Sequence, residues 1–270
     1  MNQHFKRIVL TGATGGIGSA IAKALDRLGY ELLLTGRDKV KLEQLLSSLS
    51  GEHHEIIMAD LTSREGINTL KNASDNFGIN GVINCLGLNK LATLTGTEDE
   101  EMSNLVGTNL LVPMGVCKAL LPLLEAQPKA IIVNVGSILG SIGFAGSSVY
   151  CATKFGLRGF TEALRRELSD TDVSVIYLAP RATDTALNTD AMNQMNRELG
   201  NTIDKPEKVA EQLIKVLALG KSTNRYLGWP EAFFVRLNSL LPRVVDKALS
   251  KQLPTIKRYC GLGQAKPIDV

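Results

Sequence analysis

Short apolar runs alternate with amphipathic helical patterns along roughly the first 180 residues of the chain. The first run, Arg7 to Leu10, is followed by apolar residues at helical spacing up to Gly29. The alternation recurs through predicted strands at 31–35, 55–59, 82–85, 130–135 and 173–178. Parallel strands need crossover helices, and helices on both faces bury such strands completely. The pattern therefore predicts an α/β fold with a doubly wound parallel sheet.

The last third of the chain departs from this alternation. The segment 181–205 is polar apart from a few residues such as Met192 and Met195, and its length predicts a lid over a substrate site. A helix at 206–219 and a last strand near 225–227 would complete a sheet of about seven strands. We expect residues 1–228 to form one domain and residues 229–270 to form a helical extension.

The predicted extension is amphipathic and basic. Apolar residues from Phe233 to Leu249 are interleaved with arginines and lysines, and Pro242 interrupts them as one continuous helix. Such a segment can cap a substrate pocket, form an oligomer contact, or lie on a bilayer with its basic residues toward anionic lipid. Of these, we favour packing on its own domain or subunit over membrane contact.

Composition and charge limit the classes of partner. The 270 residues are 44% hydrophobic with a net charge of +3, and the basic residues are scattered, which argues against nucleic-acid binding. No uninterrupted apolar run approaches the roughly 20 residues of a membrane span, and the first residues lack a secretory signal. Four cysteines without C-x-x-C spacing suit a reducing compartment, so we expect a cytoplasmic protein.

Histidine chemistry is not indicated. His53 and His54 introduce a predicted strand, at the sheet edge opposite to the carboxyl ends of the strands, and we expect both to be solvated. They match neither a zinc motif nor a hydrolase arrangement. We therefore predict no metal site.

The turn after the first strand is rich in glycine and reads Thr11-Gly12-Ala13-Thr14-Gly15-Gly16-Ile17-Gly18. Glycines let a backbone approach a diphosphate closely, while the following helix directs its free N–H groups at the negative charge. Because this turn joins a predicted strand to a predicted helix, it predicts dinucleotide binding. The alternative is a plain tight turn.

Arg37 follows the second predicted strand, where the adenosine ribose of a dinucleotide would lie. A carboxylate at this position would accept a hydrogen bond from a 2′-hydroxyl group, whereas an arginine can pair with a 2′-phosphate. Arg37 therefore favours NADP. The alternative is a surface arginine paired with Asp38.

Tyr150 and Lys154 are four residues apart on a predicted helix, so their side chains share one face. A nearby ammonium group favours the phenolate and lowers a tyrosine pKa, which makes the pair a candidate acid/base device. Ser137, at the end of the fifth predicted strand, could polarise a carbonyl group. The alternatives are a chance spacing for the pair and a turn or capping role for the serine.

Together these residues resemble the short-chain dehydrogenase/reductase family. The resemblance covers about the first 185 residues, and Ser137 lies thirteen residues before Tyr150, the usual separation in the family. It rests on the glycine turn, Asp60-Leu61, Asn84 to Gly87, Asn109, Ser137, and Tyr150 with Lys154. It implies a Rossmann-type fold.

The resemblance also implies roles for these positions. Ser137 would hydrogen-bond the substrate oxygen, Tyr150 would exchange a proton with it, and Lys154 would hold the nicotinamide ribose and lower the tyrosine pKa. Asn109 would anchor a water molecule that passes protons onward from Lys154. The cofactor would be held by Thr11, Gly12, Thr14, Gly16, Ile17, Gly18, Arg37, Asp60, Leu61, Asn84, Gly87, Tyr150, Lys154, Pro180, Thr183 and Thr185.

Two places depart from the family pattern. Cys85 and Leu86 stand where the family usually has asparagine and alanine, so the bracing role of that asparagine is absent. Arg181 stands where the family has a glycine after Pro180. This arginine could face an anionic group of a substrate, or it could form a salt bridge with Asp184 or another acid.

The resemblance thus implies an NADP-dependent oxidoreductase that transfers a hydride between nicotinamide and the carbonyl or alcohol carbon of a small molecule. A lid containing Met192 and Met195 favours a partly hydrophobic substrate. The alternative function is a non-catalytic NADP-binding regulator or scaffold, peripheral to a membrane through its C-terminal segment. Because the family commonly forms dimers and tetramers through two long central helices, we also expect a homo-oligomer.

Overall fold

Seven parallel strands form one sheet in the computed structural model, which describes residues 5–262. Their order is β3-β2-β1-β4-β5-β6-β7, and every neighbouring pair is parallel. The strands are β1 (Arg7–Thr11), β2 (Glu31–Gly36), β3 (Glu55–Met58), β4 (Gly81–Asn84), β5 (Ala130–Val135), β6 (Val173–Ala179) and β7 (Thr223–Tyr226). The predicted Rossmann-type sheet is confirmed, with β7 slightly earlier in the chain than expected.

Helices connect the strands and cover both faces of the sheet. They are α1 (Gly16–Asp26), α2 (Lys39–Ser47), α3 (Arg64–Phe77), α4 (Asp99–Val106), α5 (Val112–Glu125), α6 (Ser148–Glu167), α7 (Asp190–Glu198), α8 (Pro206–Leu219), α9 (Glu231–Leu240), α10 (Pro242–Ser250) and α11 (Leu253–Leu262). Alternate residues of β1 point to opposite faces: Ile8 and Leu10 pack with α1 and α8, whereas Val9 packs with α3 and α5. The sheet therefore has a buried apolar layer on each side.

A π-helical stretch, Gly107–Leu111, joins α4 to α5 in one long helical region. This region, Asp99–Glu125, has the length and hydropathy of a membrane span, which the sequence did not lead us to expect. In the fold, Val116, Leu120 and Leu124 of α5 are buried against the sheet. A core helix of a globular domain accounts for that apolar face.

The strand order reverses between β1 and β4, and crossovers from the two halves leave on opposite sides of the sheet there. In open α/β sheets, ligands bind in the crevice beyond the carboxyl ends of the strands at such a point. The turn after β1 and the loops after β4 and β5 therefore surround the expected binding crevice.

The predicted lid and extension lie over this same edge. Helix α7 occupies part of the segment 181–205, and its Met192 and Met195 pack against Ile256 of α11. Val235 and Val245 of α9 and α10 pack against the segment that follows β5. The described part of the extension thus packs on its own chain; residues 263–270 lie outside the described residues.

His54 is buried, contrary to our expectation of a solvated side chain. Its Nδ1 accepts a hydrogen bond from Leu32 N at 3.2 Å, and its Nε2 lies 2.9 Å from Asp26 Oδ1. The Asp26 carboxylate also accepts hydrogen bonds from the backbone of Ser50 and Gly51. His54 therefore ties the loop before β3 to β2 and the end of α1, a structural role at the edge opposite to the crevice.

Candidate active site

The turn after β1 needs glycine at several positions. Gly12 has a φ of +64°, and a Cβ atom there would come within 2.8 Å of Cys85 O. A Cβ on Gly18 would lie 2.1 Å from Gly12 O, and one on Gly16 would lie 2.6 Å from Thr185 Cγ2. The turn is therefore tightly folded, and it lies directly beside the segment that follows β6.

Helix α1 begins at this turn without a side-chain cap. Asp38, Ser63 and Thr189 accept hydrogen bonds from the first turns of α2, α3 and α7, whereas no described side chain does so for α1. The N–H groups at the start of α1 are therefore available to an anionic ligand.

Thr11 and Asn84 brace the strands under the turn. Thr11 Oγ1 accepts a hydrogen bond from Cys85 N at 3.2 Å, which fixes the loop after β4 beside β1. Asn84 Nδ2 donates to Asn134 Oδ1 at 2.9 Å, and Asn134 in turn donates to Thr161 Oγ1 at 2.9 Å. Sequence reasoning missed Asn134, which extends the brace of the central strands to α6.

The predicted adenosine end contains an unpaired arginine. Arg37 is exposed, and within residues 5–262 it forms no hydrogen bond or ion pair; Asp38 instead accepts from Lys41 N at 3.1 Å and caps α2. Arg37 is close enough to Asp60 to help lower the pKa of that carboxyl group, although hydrogen bonds from Thr62 contribute more. The alternative in which Asp38 pairs with Arg37 is thus not what the structure shows.

A buried hydroxyl group also lies near the predicted adenosine end, close to the carboxyl end of β2. Thr35 Oγ1 is fully buried and has no hydrogen-bond partner among the described residues. Thr14 Oγ1 lies 3.6 Å from the position of a Cβ on Gly36, so the glycine turn meets the end of β2. Leu61, beside Asp60, is buried in the core.

Ser137, Tyr150 and Lys154 converge on one cavity beyond β5. Lys154 Nζ donates a hydrogen bond to Val135 O at 3.3 Å and lies 5.8 Å from the centroid of the Tyr150 ring. Ser137 interacts through its hydroxyl group with the Tyr150 phenol. All three side chains are almost fully buried in the fold, although they line the cavity.

Burial shifts the pKa values of both Tyr150 and Lys154. Burial raises the pKa of Tyr150 to about 12, and the hydrogen bond with Ser137 opposes this only partly. Burial also lowers the pKa of Lys154 to about 8. The expectation that Lys154 lowers the tyrosine pKa is therefore wrong for this structure, because desolvation of the phenolate outweighs any stabilisation by the ammonium group.

Asn109 lies in the π-helical stretch and is fully buried. Its Oδ1 accepts from Leu88 N at 2.7 Å, and its Nδ2 donates to Leu88 O at 2.9 Å and to Thr153 Oγ1 at 3.1 Å. A Cβ on Gly87 would lie 3.7 Å from Asn109 Oδ1 and 3.8 Å from Lys154 Nζ. The Asn109 amide and the Lys154 ammonium group thus both lie close to Gly87.

Arg181 joins three segments of the chain. Its guanidinium group donates to both carboxylate oxygens of Asp204, at 2.9 and 2.8 Å, and to Glu231 Oε2 at 3.0 Å. It also donates to Trp229 O at 3.2 Å. The partner acids are thus Asp204 and Glu231 rather than Asp184, and the charge of Arg181 is neutralised before any substrate arrives.

A cavity of about 710 Å³ connects these features. It begins at the glycine turn, passes Gly87 and the Ser137–Tyr150–Lys154 group, and ends between α7, α9 and α10. The predicted site residues that line it are Thr14, Gly16, Ile17, Gly18, Gly87, Ser137, Tyr150, Lys154, Pro180, Thr183 and Thr185. Those outside its lining are Thr11, Gly12, Arg37, Asp60, Leu61, Asn84 and Asn109.

A family model described as short chain dehydrogenase matches residues 6–196, which include the glycine turn, Ser137, Tyr150 and Lys154. The chain belongs to the short chain dehydrogenase family. The resemblance inferred from the sequence is thereby confirmed. Members of this family are oxidoreductases that use a nicotinamide cofactor. A dinucleotide is also the ligand that the shape of the glycine turn indicates.

Individual relatives agree with this assignment. An uncharacterized oxidoreductase of Staphylococcus aureus (strain USA300) is 32% identical over 221 residues, which are 81% of this chain and 94% of the relative. The 3-oxoacyl-[acyl-carrier-protein] reductase of Bos taurus is 33% identical over 189 residues, covering 70% of this chain and 78% of that protein.

Solved structures show the same similarity. A short-chain dehydrogenase from Streptomyces avermitilis has a TM-score of 0.78 at 25% identity, covering 92% of this chain and 98% of that chain. A 3-ketoacyl-(acyl-carrier-protein) reductase from Brucella melitensis, complexed with NADH, has a TM-score of 0.74 at 25% identity and covers 81% and 96%.

Tyr177 of β6 supports the short chain dehydrogenase site by pairing with the backbone of Ser137, and sequence reasoning missed it. Its hydroxyl group accepts from Ser137 N at 3.2 Å and donates to Ser137 O at 3.1 Å, and it lies 3.4 Å from Lys154 O. A Cβ on Gly136 or Gly140 would come within about 2.2 Å of the Tyr177 side chain. Two glycines around a strand-end serine were the signal for this close approach.

We expect Tyr177→Phe to lower turnover roughly tenfold while cofactor affinity changes little, because a loosened Ser137 backbone misplaces its hydroxyl group. Loss of the buried partner of Ser137 N should also reduce the free energy of unfolding by about 1–3 kcal/mol. Steady-state kinetics and urea unfolding measure both effects. The matched control is Tyr226→Phe, on the neighbouring ring 6.4 Å away; an equal loss of turnover in both variants would contradict the positioning role.

Proposed function

We propose that this protein is an NADP-dependent oxidoreductase that interconverts a carbonyl group and an alcohol on a partly hydrophobic small molecule. The observation that carries the proposal is the convergence of Ser137, Tyr150 and Lys154 on a cavity that runs from the glycine turn to an apolar wall. A relative named as a 3-oxoacyl-[acyl-carrier-protein] reductase and a structural neighbour complexed with NADH support it.

The residues present fit a nicotinamide dinucleotide. The glycine turn leaves no room for side chains, and the uncapped start of α1 offers N–H groups to a diphosphate. Thr35, whose buried hydroxyl group has no hydrogen-bond partner among the described residues, lies near the end of β2, two residues before Arg37. Bound there, the cofactor would supply or accept the hydride.

The chain's own residues would handle the proton. With a pKa of about 12, the Tyr150 phenol is protonated at neutral pH, so it can donate its proton to a carbonyl oxygen that gains negative charge. Ser137 would hydrogen-bond the same oxygen, and the Lys154 ammonium group would stabilise the phenolate that remains. In this state Tyr150 is suited to act as the general acid when a carbonyl group is reduced.

The far part of the cavity suits an apolar substrate. Apolar side chains from the lid, the extension and the segments that follow β4 and β5 line much of this part, namely Leu91, Ile142, Phe144, Met192, Met195, Phe234, Leu237, Val244, Val245 and Leu249. Arg181 also lines the cavity, but two carboxylates neutralise it. We therefore favour a neutral hydrophobic group over an anionic one at this end of the substrate.

The choice of NADP rests on Arg37 and is tested by Arg37→Ala. We expect this variant to bind NADPH about tenfold or more weakly, because a charge-assisted pair with the 2′-phosphate is lost, and to bind NADH almost as the unaltered protein does. Fluorescence titration of the purified chain with each cofactor measures this. Arg27→Ala, an exposed arginine at the other end of α1, is the control and should change neither affinity. Preferential NADH binding by the unaltered protein would contradict the NADP assignment.

We also infer a homo-oligomer in the cytoplasm. Leu111, Met114 and Phe155 are exposed on the long helical region and on α6, the elements through which the family is expected to associate. All four cysteines are free thiols, which supports a reducing compartment.

A further inference from the structure

The helical extension presents an exposed apolar surface beside the cavity. Trp229 and Leu240 are 75% and 80% exposed, which is exceptional for such side chains in this chain. The rings of Trp229, Phe233 and Phe234 contact one another in series, with centroids 5.8 and 5.9 Å apart. We call the exposed set the apolar rim; its members are Trp229, Phe233, Phe234, Leu240, Leu241 and Val244.

The apolar rim is also the outer wall of the candidate substrate cavity. Phe234 and Val244 are exposed to solvent and line the cavity at the same time. Behind them, Leu237, Val245 and Leu249 continue the apolar lining inward. Apolar side chains therefore line one wall of the cavity from the outer surface inward, and this wall offers a lipophilic molecule an apolar contact surface.

The charges around the rim are mostly basic. Between residues 229 and 262 the acidic side chains are Glu231, which is paired with Arg181, and Asp246. The basic side chains of that segment are Arg236, Arg243, Lys247, Lys251, Lys257 and Arg258, of which Arg258 is paired with Glu198 of α7. Basic residues occur along the entire 270-residue chain, but elsewhere acidic residues balance them, since the net charge of the whole chain is only +3.

We propose that α9 and α10 dock onto an anionic lipid surface, with the apolar rim inserted and the cavity mouth facing the bilayer. Exposed aromatic and aliphatic groups enter the interfacial region of a bilayer, while flanking Lys and Arg attract anionic head groups. The proposal deepens the proposed function, since it assigns to the same cavity a membrane-dissolved, lipophilic carbonyl or alcohol as substrate.

A lipid surface accounts for the rim better than a second copy of the chain does. Two copies meeting through this rim would bring their basic side chains together, and like charges at short distance repel. Anionic head groups would instead neutralise them, and the attraction falls off with added salt. The sign of the charge therefore selects the occupant.

The test is co-sedimentation of the full chain with vesicles of phosphatidylcholine alone or with about 30 mol% phosphatidylglycerol. We expect binding to the anionic vesicles at least about tenfold stronger than to the neutral ones. We expect two double variants to bind the anionic vesicles about tenfold or more weakly. One combines Phe233→Ser with Leu240→Ser, and the other combines Arg236→Glu with Lys247→Glu. None of these four side chains lines the cavity, so cofactor binding should persist.

Matched controls lie on α8 and just beyond it. Leu219→Ser removes an apolar side chain that is 67% exposed, and Lys215→Glu/Lys221→Glu reverses two exposed charges. Both should bind anionic vesicles as the unaltered chain does. Circular dichroism and NADPH titration establish that every variant is folded.

Two results would overturn the docking proposal alone. One is a vesicle assay in which the folded, NADPH-binding chain does not bind anionic vesicles, or in which its rim variants bind them as tightly as the controls do. The other is light scattering that shows the rim variants dissociating an oligomer, which would make the rim an interface between copies. Failure of NADPH to bind the unaltered chain would instead overturn the proposed function, independently of the vesicle result.

Discussion

Tyr150→Phe is expected to reduce turnover of a carbonyl substrate by about 10²- to 10⁴-fold, the usual contribution of a positioned general acid. The reason is specific to the hydroxyl group: with a pKa of about 12 it carries the proton that the substrate oxygen must receive, and phenylalanine carries none. Packing should survive, since the ring is retained in a buried position. NADPH consumption with a carbonyl substrate measures the loss, and NADPH titration checks that cofactor affinity remains within a few-fold.

The control for this prediction is Tyr30→Phe. Tyr30 is also buried, and burial likewise raises its pKa, but it precedes β2 at the edge of the sheet opposite to the crevice. Full activity of Tyr30→Phe with loss in Tyr150→Phe would link turnover to one hydroxyl group. Appreciable turnover by Tyr150→Phe would contradict the acid/base role of Tyr150 and favour the alternative of a non-catalytic NADP-binding regulator.

Local patterns in the sequence predict most of the fold and the centre of the site. The alternation of apolar runs and helical patterns locates the strands, because parallel strands buried on both faces leave a simple signature. Tyr150 and Lys154 are four residues apart on α6, so helical geometry alone places them together. The glycine turn needs no tertiary information either, since its shape is set by steric limits on the backbone.

The sequence could not predict contacts between distant segments. Tyr177 looks like any aromatic residue of a buried strand, and its hydroxyl group meets Ser137 only because β5 and β6 are adjacent. Asn134 likewise looks like an interruption of an apolar strand until its partners Asn84 and Thr161 are in place. Such buried polar groups are paired by topology rather than by local sequence.

Burial explains the two expectations that proved wrong. A lysine one helical turn from a tyrosine suggests a lowered tyrosine pKa, but the pKa also depends on how far the phenolate is removed from water, and here that effect dominates. His54 was expected at a solvated strand entrance, yet its side chain is buried and pairs with Leu32 N and Asp26. Neither depth of burial is encoded in a local pattern.

Arg181→Met is expected to lower the free energy of unfolding by about 3 kcal/mol, which is the scale for removing one partner of a buried ion pair. The side chains of Arg181 and Asp204 are only 8% and 7% exposed, so water cannot replace the lost guanidinium group. Lys208 remains 2.9 Å from Asp204 and limits the loss, whereas Glu231 at the start of α9 loses its ion-pair partner. Urea unfolding of the cofactor-free protein measures the change.

Arg225→Met is the matched control, because Arg225 is exposed and bonds only to Gln212 among the described residues. Its effect should stay within about 0.5 kcal/mol, as is usual for surface substitutions. If Arg181→Met proved as stable as this control, the salt bridges of Arg181 would contribute nothing that holds the extension on the domain.

The stability loss in Arg181→Met should depend on pH in a definite direction. Burial alone would raise the pKa of Asp204, but hydrogen bonds from Arg181 and Lys208 outweigh it and lower that pKa. A carboxyl group with a lowered pKa contributes stability above its ordinary value of about 4 and loses that contribution as the pH falls through the folded-state pKa. The difference in unfolding free energy between the unaltered chain and Arg181→Met should therefore be largest near neutrality and shrink on acidification below about pH 4. A difference that stays constant with pH would instead assign the loss to packing of the arginine side chain and not to its charge.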